Sequence, residues 1–529
     1  MSEHIEERDS AVSRLRAGST PPLAGLLLLS LLLVYVAVVV RTAWVSDDAY
    51  ITMRTVDNFL HGHGLRWNPA ERVQSYTHPL WMFALAVVYV VLDDAYFSML
   101  TLSFFFSIAA VAIVGFGVAR SVAGGAMAIS ILLLSKGFTD YSTSGLENPL
   151  THALLALFLW LYCTRAHNLD TLFWLAVVAG LAVLNRMDTL LLFAPALAWL
   201  WWRLPKLQGT LGIVVAFLPF IAWELFSLLY YGFLFPNTAF AKLNTGIPDS
   251  ELLLQGFLYW LYSFNYDPIT PVLILVGLCI PLFTRNWRLA PLSLGAALYV
   301  LYVTKVGGDF MGSRFFSAPL LCAAALLAQL PISLRQPAVV LAFAGVWVLG
   351  FMAPHPTLLS NASYGESDAD RKEAIAPSGV ADERAYYYQR TGLLKLQRNE
   401  PWPFVTTSRL NPPVNPSGIV VENNTGFMGY YGAKQRLHIL DDYALCDPLM
   451  ARLPVGPQWR IGHFRRPIPA GYEQTVATGE NQIRDPDLAE YYDKLKLIIS
   501  GPLFDQERLR TVIEMNLGRY DHLLSKYKK

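Results

Sequence analysis

The chain has 529 residues, of which 54% are hydrophobic and only 15% charged. An ordinary soluble chain has about a quarter of its residues charged, so this composition belongs to an integral membrane protein. A formal net charge of +1 excludes both the basic footprint of a nucleic-acid binder and an acidic disordered arm.

In chain order, the first apolar run carries no charge from Leu23 to Val40. Arg8, Arg14 and Arg16 precede it, with no small-residue cleavage site, so it reads as a retained first span and not as a removed signal peptide. A spanning helix needs about 20 mostly apolar residues. Candidate spans are residues 23–43, 97–119, 122–137, 149–164, 171–186, 188–202, 209–231, 268–284, 288–304, 315–331 and 336–353. The apolar stretch from Pro79 to Leu92 is closed by Asp93 and Asp94 and is shorter than a span, so it is expected to lie on the membrane surface.

That choice fixes the side of every later loop. The cationic loops, Arg120, Arg165, Arg203 with Lys206, Arg285 with Arg288, and Arg335, then share the cytoplasmic side with the N-terminus, as the positive-inside rule requires. The opposite face receives the Asp47 loop, "KGFTDYSTSGLENP", "NRMD", "FPNTAFAKL" and "KVGGDFMGSR". The expected fold is mainly α: a polytopic membrane protein of about eleven transmembrane helices, plus a small C-terminal α/β extracytoplasmic domain. Residues 1–353 would form the transmembrane part, with a first outer loop 44–96 carrying surface helices, and residues 354–529, with β-like runs such as "SGIVVEN", the outer domain. Of the four cysteines only Cys446 lies in that polar region, so it forms no internal disulfide.

Asp47 and Asp48 stand just before Ala49, Met53, Val56 and Leu60 at helical spacing, at the N-terminus of an amphipathic surface helix. One carboxylate suffices to cap a helix. Neighbouring side chains on a helix diverge by about 100°, so only one of the two can address a given reacting atom. A base and a helper is the natural division. The same loop adds Arg54, Asp57, His61 and His63. His61-x-His63 lacks the third ligand that zinc sites use, so no metal is assigned and no cofactor is required, a divalent cation being the one addition that the acids would accept. Glu147, Arg186, Asp188, Asn237, Lys242, Asp309 and Arg314 lie at helix ends on the same outer face. Singly, each is an interfacial anchor or a salt bridge. Together they bring acids and cations to one surface, while span interiors hold almost no ionisable residue except Glu224, unlike a proton relay or a transporter. Transfer of a sugar from a lipid phosphate suits such a surface. A carboxylate takes the proton of an acceptor hydroxyl, and Lys and Arg stabilise the charge growing on the departing phosphate. No Walker or Rossmann glycine pattern supplies a nucleotide pocket.

The ordered series "DDAY", "GHGLRWNP", "THPLW", "STSGLENPL", "NRMD", "YYGFLFPNTAFAKL", "VGGDFMGSRFF", "DDYALCDPLMARLP" and "IGHFRRPIPAGY" resembles the GT-C glycosyltransferases of the AftB type, the terminal arabinofuranosyltransferases, and the related ZomB-like membrane proteins. The resemblance runs over nearly the whole chain. It implies a multi-pass enzyme of the bacterial inner membrane whose active site faces the periplasm or cell exterior. Such an enzyme would move a pentofuranose such as arabinofuranose from a polyprenyl-phosphate donor to a glycan, lipid-linked or protein acceptor of the cell envelope. It also implies that a first-loop acid is catalytic, with Asp47 the first choice and Asp48 the second. By charge and side, Arg186, Lys242 and Arg314 suit the donor phosphate, and Arg54, His61, Glu147, Asp188, Asn237 and Asp309 complete the expected substrate-binding set. The alternatives are a lipid-linked sugar flippase, which needs a polar path that the charge-poor spans do not provide, and a non-catalytic envelope or motility assembly factor, which would tolerate loss of the aspartates.

Overall fold

The computed structural model describes residues 22–395, 419–422, 425–432 and 438–527. Arg8, Arg14 and Arg16 lie outside the described residues. The protein is mainly helical, and every stretch read as a candidate span contains helix. Side-chain caps set many of the helix starts. Asp94 accepts from the Phe97 amide at 2.8 Å, Ser121 from Gly124 at 3.0 Å and Asn168 from Thr171 at 2.9 Å, each satisfying an amide that has no partner in the first turn.

Length separates these helices from the expectation of about eleven spans. Among the described residues, Gly25–Thr42 and Ala95–Val118 are long and apolar enough to cross a membrane singly. Lys206–Ala216 with Leu218–Tyr230, bent by 53°, and Asp249–Tyr266 with Ile269–Thr284, bent by 110°, raise the number to four if each pair counts as one span. Pro79–Leu92, Val122–Leu134, Leu169–Asn185, Arg314–Ala328 and Pro337–Phe351 are apolar but shorter. The helix Asp249–Tyr266 was not anticipated from sequence. Its sharp bend falls at Asp267-Pro268, where proline disfavours helical backbone in the preceding residue. The Asp267 carboxylate then accepts from the Lys136 and Gly137 amides at 3.1 and 2.8 Å and from Thr270 Oγ1 at 2.6 Å, which fastens the bend to the loop before Glu147.

Close helix contact is built on small residues, as membrane packing favours. A Cβ on Gly256 would lie 1.9 Å from the Thr304 carbonyl oxygen, so Asp249–Tyr266 reaches Ala290–Lys305 only because glycine stands there.

The C-terminal region contains both strand and helix. Among the described residues its sheet is one parallel pair, β1 (Ile419–Glu422) and β2 (His438–Asp441), with Ile419 opposite His438, and the remaining regular structure there is helical. Its core is shared: Phe233 and Ala241 pack in one cluster with Leu449, Met450, Tyr472, Leu488 and Leu495. Arg72 and Arg508 both donate to the Tyr230 carbonyl at 3.1 Å, closing the C-terminal end of Leu218–Tyr230 with groups from the first loop and from the tail. A buried ion cluster makes a second seam, with Lys136 3.0 Å from Asp382, Arg384 2.8 Å from Asp140, and Lys136 also paired with Asp140. These seams press the tail onto the loops that carry the candidate residues.

Candidate active site

The helix Asp47–Leu60 presents two stripes. Asp48, Ile51 and Thr52 face a cavity of about 430 Å³, whereas Asp47, Tyr50 and Arg54 face the tail. The adjacent acids point apart because each step along a helix turns by about 100°. Neither acts as the cap: Ser46 is the N-cap residue and makes no side-chain cap bond. The Asp47 carboxylate accepts from the Phe427 amide at 2.7 Å and the Gly426 amide at 3.2 Å. Burial pushes Asp47 up to about 7, with the Phe427 hydrogen bond and then the neighbouring Asp48 charge as lesser influences, one lowering and one raising it. Asp48 is also raised by burial, and the charges of Lys242 and Arg314 pull it part of the way back.

The cavity collects residues from widely separated loops. Glu147, Arg186, Asp188, Lys242, Asp309 and Arg314 all line it beside Asp48. Glu147 is the hub, with Oε1 accepting from Arg186 at 2.6 Å and from Arg314 at 2.9 Å. Arg186 also grips Asp188 through two bonds of 3.0 and 2.6 Å, the bidentate geometry that guanidinium favours. Arg314 reaches Asn148 at 3.0 Å and Asp309 at 3.5 Å. Burial alone would raise Glu147, but Arg314, His78 and Arg186 outweigh it and hold the carboxyl well below the usual range. His78 is itself pushed down to about 4 by burial. Among the described residues, Asp48 and Lys242 differ from this network in having no hydrogen bond or ion pair. The Lys242 ammonium lies 6.0 Å from the Phe310 ring. Among the described residues the site therefore holds a carboxylate and an ammonium available to a ligand, beside two guanidinium groups locked in place by acids.

Three expected substrate-binding residues are elsewhere. Arg54 is buried with its guanidinium 3.9 Å from the Trp67 ring centre, donating to Asn68 at 3.1 Å, because its position falls on the tail-facing stripe. His61 is exposed at the far end of the same helix and pairs with Asp57 at 3.4 Å. Asn237 donates to the carbonyls of Ala444, Leu445 and Asp447 at 3.0 to 3.1 Å, a bolt between the "FPNTAFAKL" loop and the tail. The structure adds lining residues that were not singled out. Thr52 lies one turn after Asp48, with its hydroxyl 2.7 Å from His78 Nε2, and the i, i+4 spacing was the available signal. Leu445, Ile461, Gly462 and Phe464 come from the tail, and nothing in their spacing announces the cavity. Among the described residues no group of three or more His, Cys, Asp or Glu side chains is placed to hold a metal ion.

No family model matches the chain. It is 27% identical over 545 aligned residues to a terminal β-(1→2)-arabinofuranosyltransferase of Mycobacterium tuberculosis, covering 85% of each chain. It is 30% identical over 332 residues to the protein of the same name from Corynebacterium glutamicum, covering 55% of this chain and 48% of that one. Solved structures with weaker likeness include ArnT from Cupriavidus metallidurans bound to undecaprenyl phosphate, at TM-score 0.41 and 15% identity over 70% of this chain and 76% of that one. The Archaeoglobus fulgidus oligosaccharyltransferase in its apo form follows at TM-score 0.43 and 12% identity over 88% and 68%. The resemblance carried by the ordered motifs thus extends over most of the chain to named enzymes: the protein is similar to the terminal arabinofuranosyltransferases, which are glycosyltransferases of the AftB type.

Proposed function

We propose that the cavity transfers a pentofuranosyl group, such as arabinofuranose, from a polyprenyl-phosphate donor to a hydroxyl of a cell-envelope glycan or glycoconjugate. One observation carries this reading: a carboxylate, Asp48, and an ammonium, Lys242, that have no ion-pair partner among the described residues open into the same cavity, flanked by the Arg186–Glu147–Arg314 network. Asp48 accepts the proton of the acceptor hydroxyl. The acceptor oxygen bonds to the anomeric carbon as the bond from that carbon to the phosphate oxygen breaks, and the polyprenyl phosphate leaves with an added negative charge. Lys242 meets that charge directly, and Arg186 and Arg314 stabilise it without having to reorganise. Asp188 and Asp309 keep the two guanidinium planes aimed. The donor's lipid explains why an enzyme with this site resides in a membrane.

The remaining parts of the reading are topological. About eleven spans, several of them short, would carry residues 1–353 through the inner membrane with the N-terminus in the cytoplasm, and the cavity and residues 354–529 would stand on the outer face. Labelling of intact spheroplasts with a membrane-impermeant maleimide tests this. His63 is exposed, whereas Ser46 beside the acid pair is buried. A His63→Cys variant is expected to react without permeabilisation, over the low background of native cysteines that are buried or partly buried. Protection until the membrane is opened would overturn the topology.

The activity test is transfer by purified membranes from a synthetic polyprenyl-phosphate pentose. Lys242→Ala is expected to weaken binding of a non-reacting donor analogue by about ten- to a hundredfold, the range for losing a hydrogen bond to a charged group, and to slow turnover as well. Undiminished donor binding would remove Lys242 from the phosphate site, and absence of transfer from any polyprenyl-phosphate pentose would overturn the reading as a whole.

A further inference from the structure

The proposed reaction needs one carboxylate of the pair, and the other is buried against a segment 379 residues away in sequence. Asp47 takes the amides of Gly426 and Phe427. The rest of its stripe completes the seat, with Tyr50 packing on Phe427, Tyr430 and Tyr431 at ring separations of 4.9 to 5.5 Å. The approach at Gly426 admits no side chain, since a Cβ there would lie 1.8 Å from the Asp47 carbonyl oxygen. The tail that carries this segment also supplies Leu445, Ile461, Gly462 and Phe464 to the cavity wall.

We infer that Asp47 is a positioning residue: its carboxylate latches the Gly426–Phe427 turn of the tail to the helix bearing Asp48, and so helps to set the base and the tail's wall of the cavity relative to each other. The mechanical reason is adjacency. Asp47 and Asp48 share a peptide bond, and a planar peptide transmits the position of one Cα to the next with little slack. Two amide hydrogen bonds to one carboxylate also define an orientation, which a single bond would not. This inference rests on Asp48 being the base. It separates the roles of the pair: Asp48 touches substrate, and Asp47 acts through Asp48 and through the tail.

The experiment uses the full-length protein in detergent, as wild type, Asp47→Ala, Asp47→Asn and Gly426→Ala. Hydrogen exchange is followed in the peptide covering 425–432, together with donor-analogue affinity and the acceptor dependence of transfer. The latch predicts that Asp47→Ala and Gly426→Ala both lose protection in that peptide while the spans keep theirs. Both should lower kcat/KM for the acceptor by about 10²-fold, the cost of misplacing reacting groups by roughly an ångström, with donor-analogue affinity within about twofold of wild type, a change of less than 0.5 kcal/mol. Asp47→Asn keeps one acceptor oxygen and should fall between. Unchanged exchange in Asp47→Ala overturns the latch whatever the activity. Loss of kcat at unchanged acceptor KM in Asp47→Asn, with Gly426→Ala fully active, makes Asp47 the base and overturns it too. If the wild type transfers nothing but exchange responds as described, the latch stands and the transferase assignment falls.

Discussion

Replacing Asp48 by Asn is expected to lower turnover by about 10² to 10⁴, the range for losing a general base, while leaving binding of a non-reacting donor analogue nearly intact. The amide keeps the shape of the carboxylate but cannot accept the proton, so the loss belongs to the transition state and appears in kcat and kcat/KM together. The pH profile carries an independent signature. Burial raises Asp48 above the ordinary carboxylate range, and Lys242 and Arg314 only partly reverse this. The base works when deprotonated, so activity should fall as pH drops through that raised value, and the acid limb should lie above the limb of an exposed aspartate. Removing Lys242 removes the first of the charges that hold the value down, so Lys242→Ala should move the acid limb to higher pH. Initial rates at saturating donor across pH, for wild type, Asp48→Asn and Lys242→Ala, decide the matter. Full turnover in Asp48→Asn would return the cavity to a binding role.

The second large effect is on stability. Glu147 is almost fully buried, its side chain 1% exposed, and it holds the Arg186 and Arg314 guanidinium groups, 14% and 8% exposed. Truncation to Ala leaves both cations in place without their shared anion. Breaking a buried pair from one side typically costs 3–5 kcal/mol. Arg186 retains its bidentate Asp188 and Arg314 retains Asn148 and Asp309, so the expected loss is near the lower end, about 3 kcal/mol, read as a lower unfolding temperature in detergent. Glu147→Gln keeps an acceptor oxygen and should lose less. The sign of the pH dependence follows from the direction of the shift. Glu147 is held below its unfolded value, so its contribution is complete above the ordinary carboxylate range and is lost only as pH falls through the lowered folded value. The difference between wild type and Glu147→Ala should therefore persist at neutral pH and shrink only in strong acid. A Glu147→Ala protein that melts with wild type would show that the two arginines do not depend on their anion.

Much of this protein was legible without coordinates because its determinants are local. An apolar run, and the charged or turn residues that close it, are properties of neighbouring residues. The sequence therefore determined the membrane class, the helical stretches apart from Asp249–Tyr266, and the loops that carry Glu147, Arg186, Asp188, Lys242, Asp309 and Arg314, which do meet at one cavity. Length was the weak link, because a helix shortened by a bend or a cap reads the same as a longer one in an apolar run. What only the tertiary structure decided is which way each side chain of a surface helix points. Asp47 and Asp48 are chemically identical and adjacent, and the helix turn assigns one to the cavity and one to the tail only once Gly426 and Phe427 are seated beside it. The same long-range placement took Arg54 to Trp67 and Asn237 to the carbonyls of Ala444, Leu445 and Asp447, and it brought Leu445, Ile461, Gly462 and Phe464 to the cavity wall. A partner hundreds of residues away leaves no periodic mark in the sequence, because the contact depends on how two segments pack and not on the spacing within either.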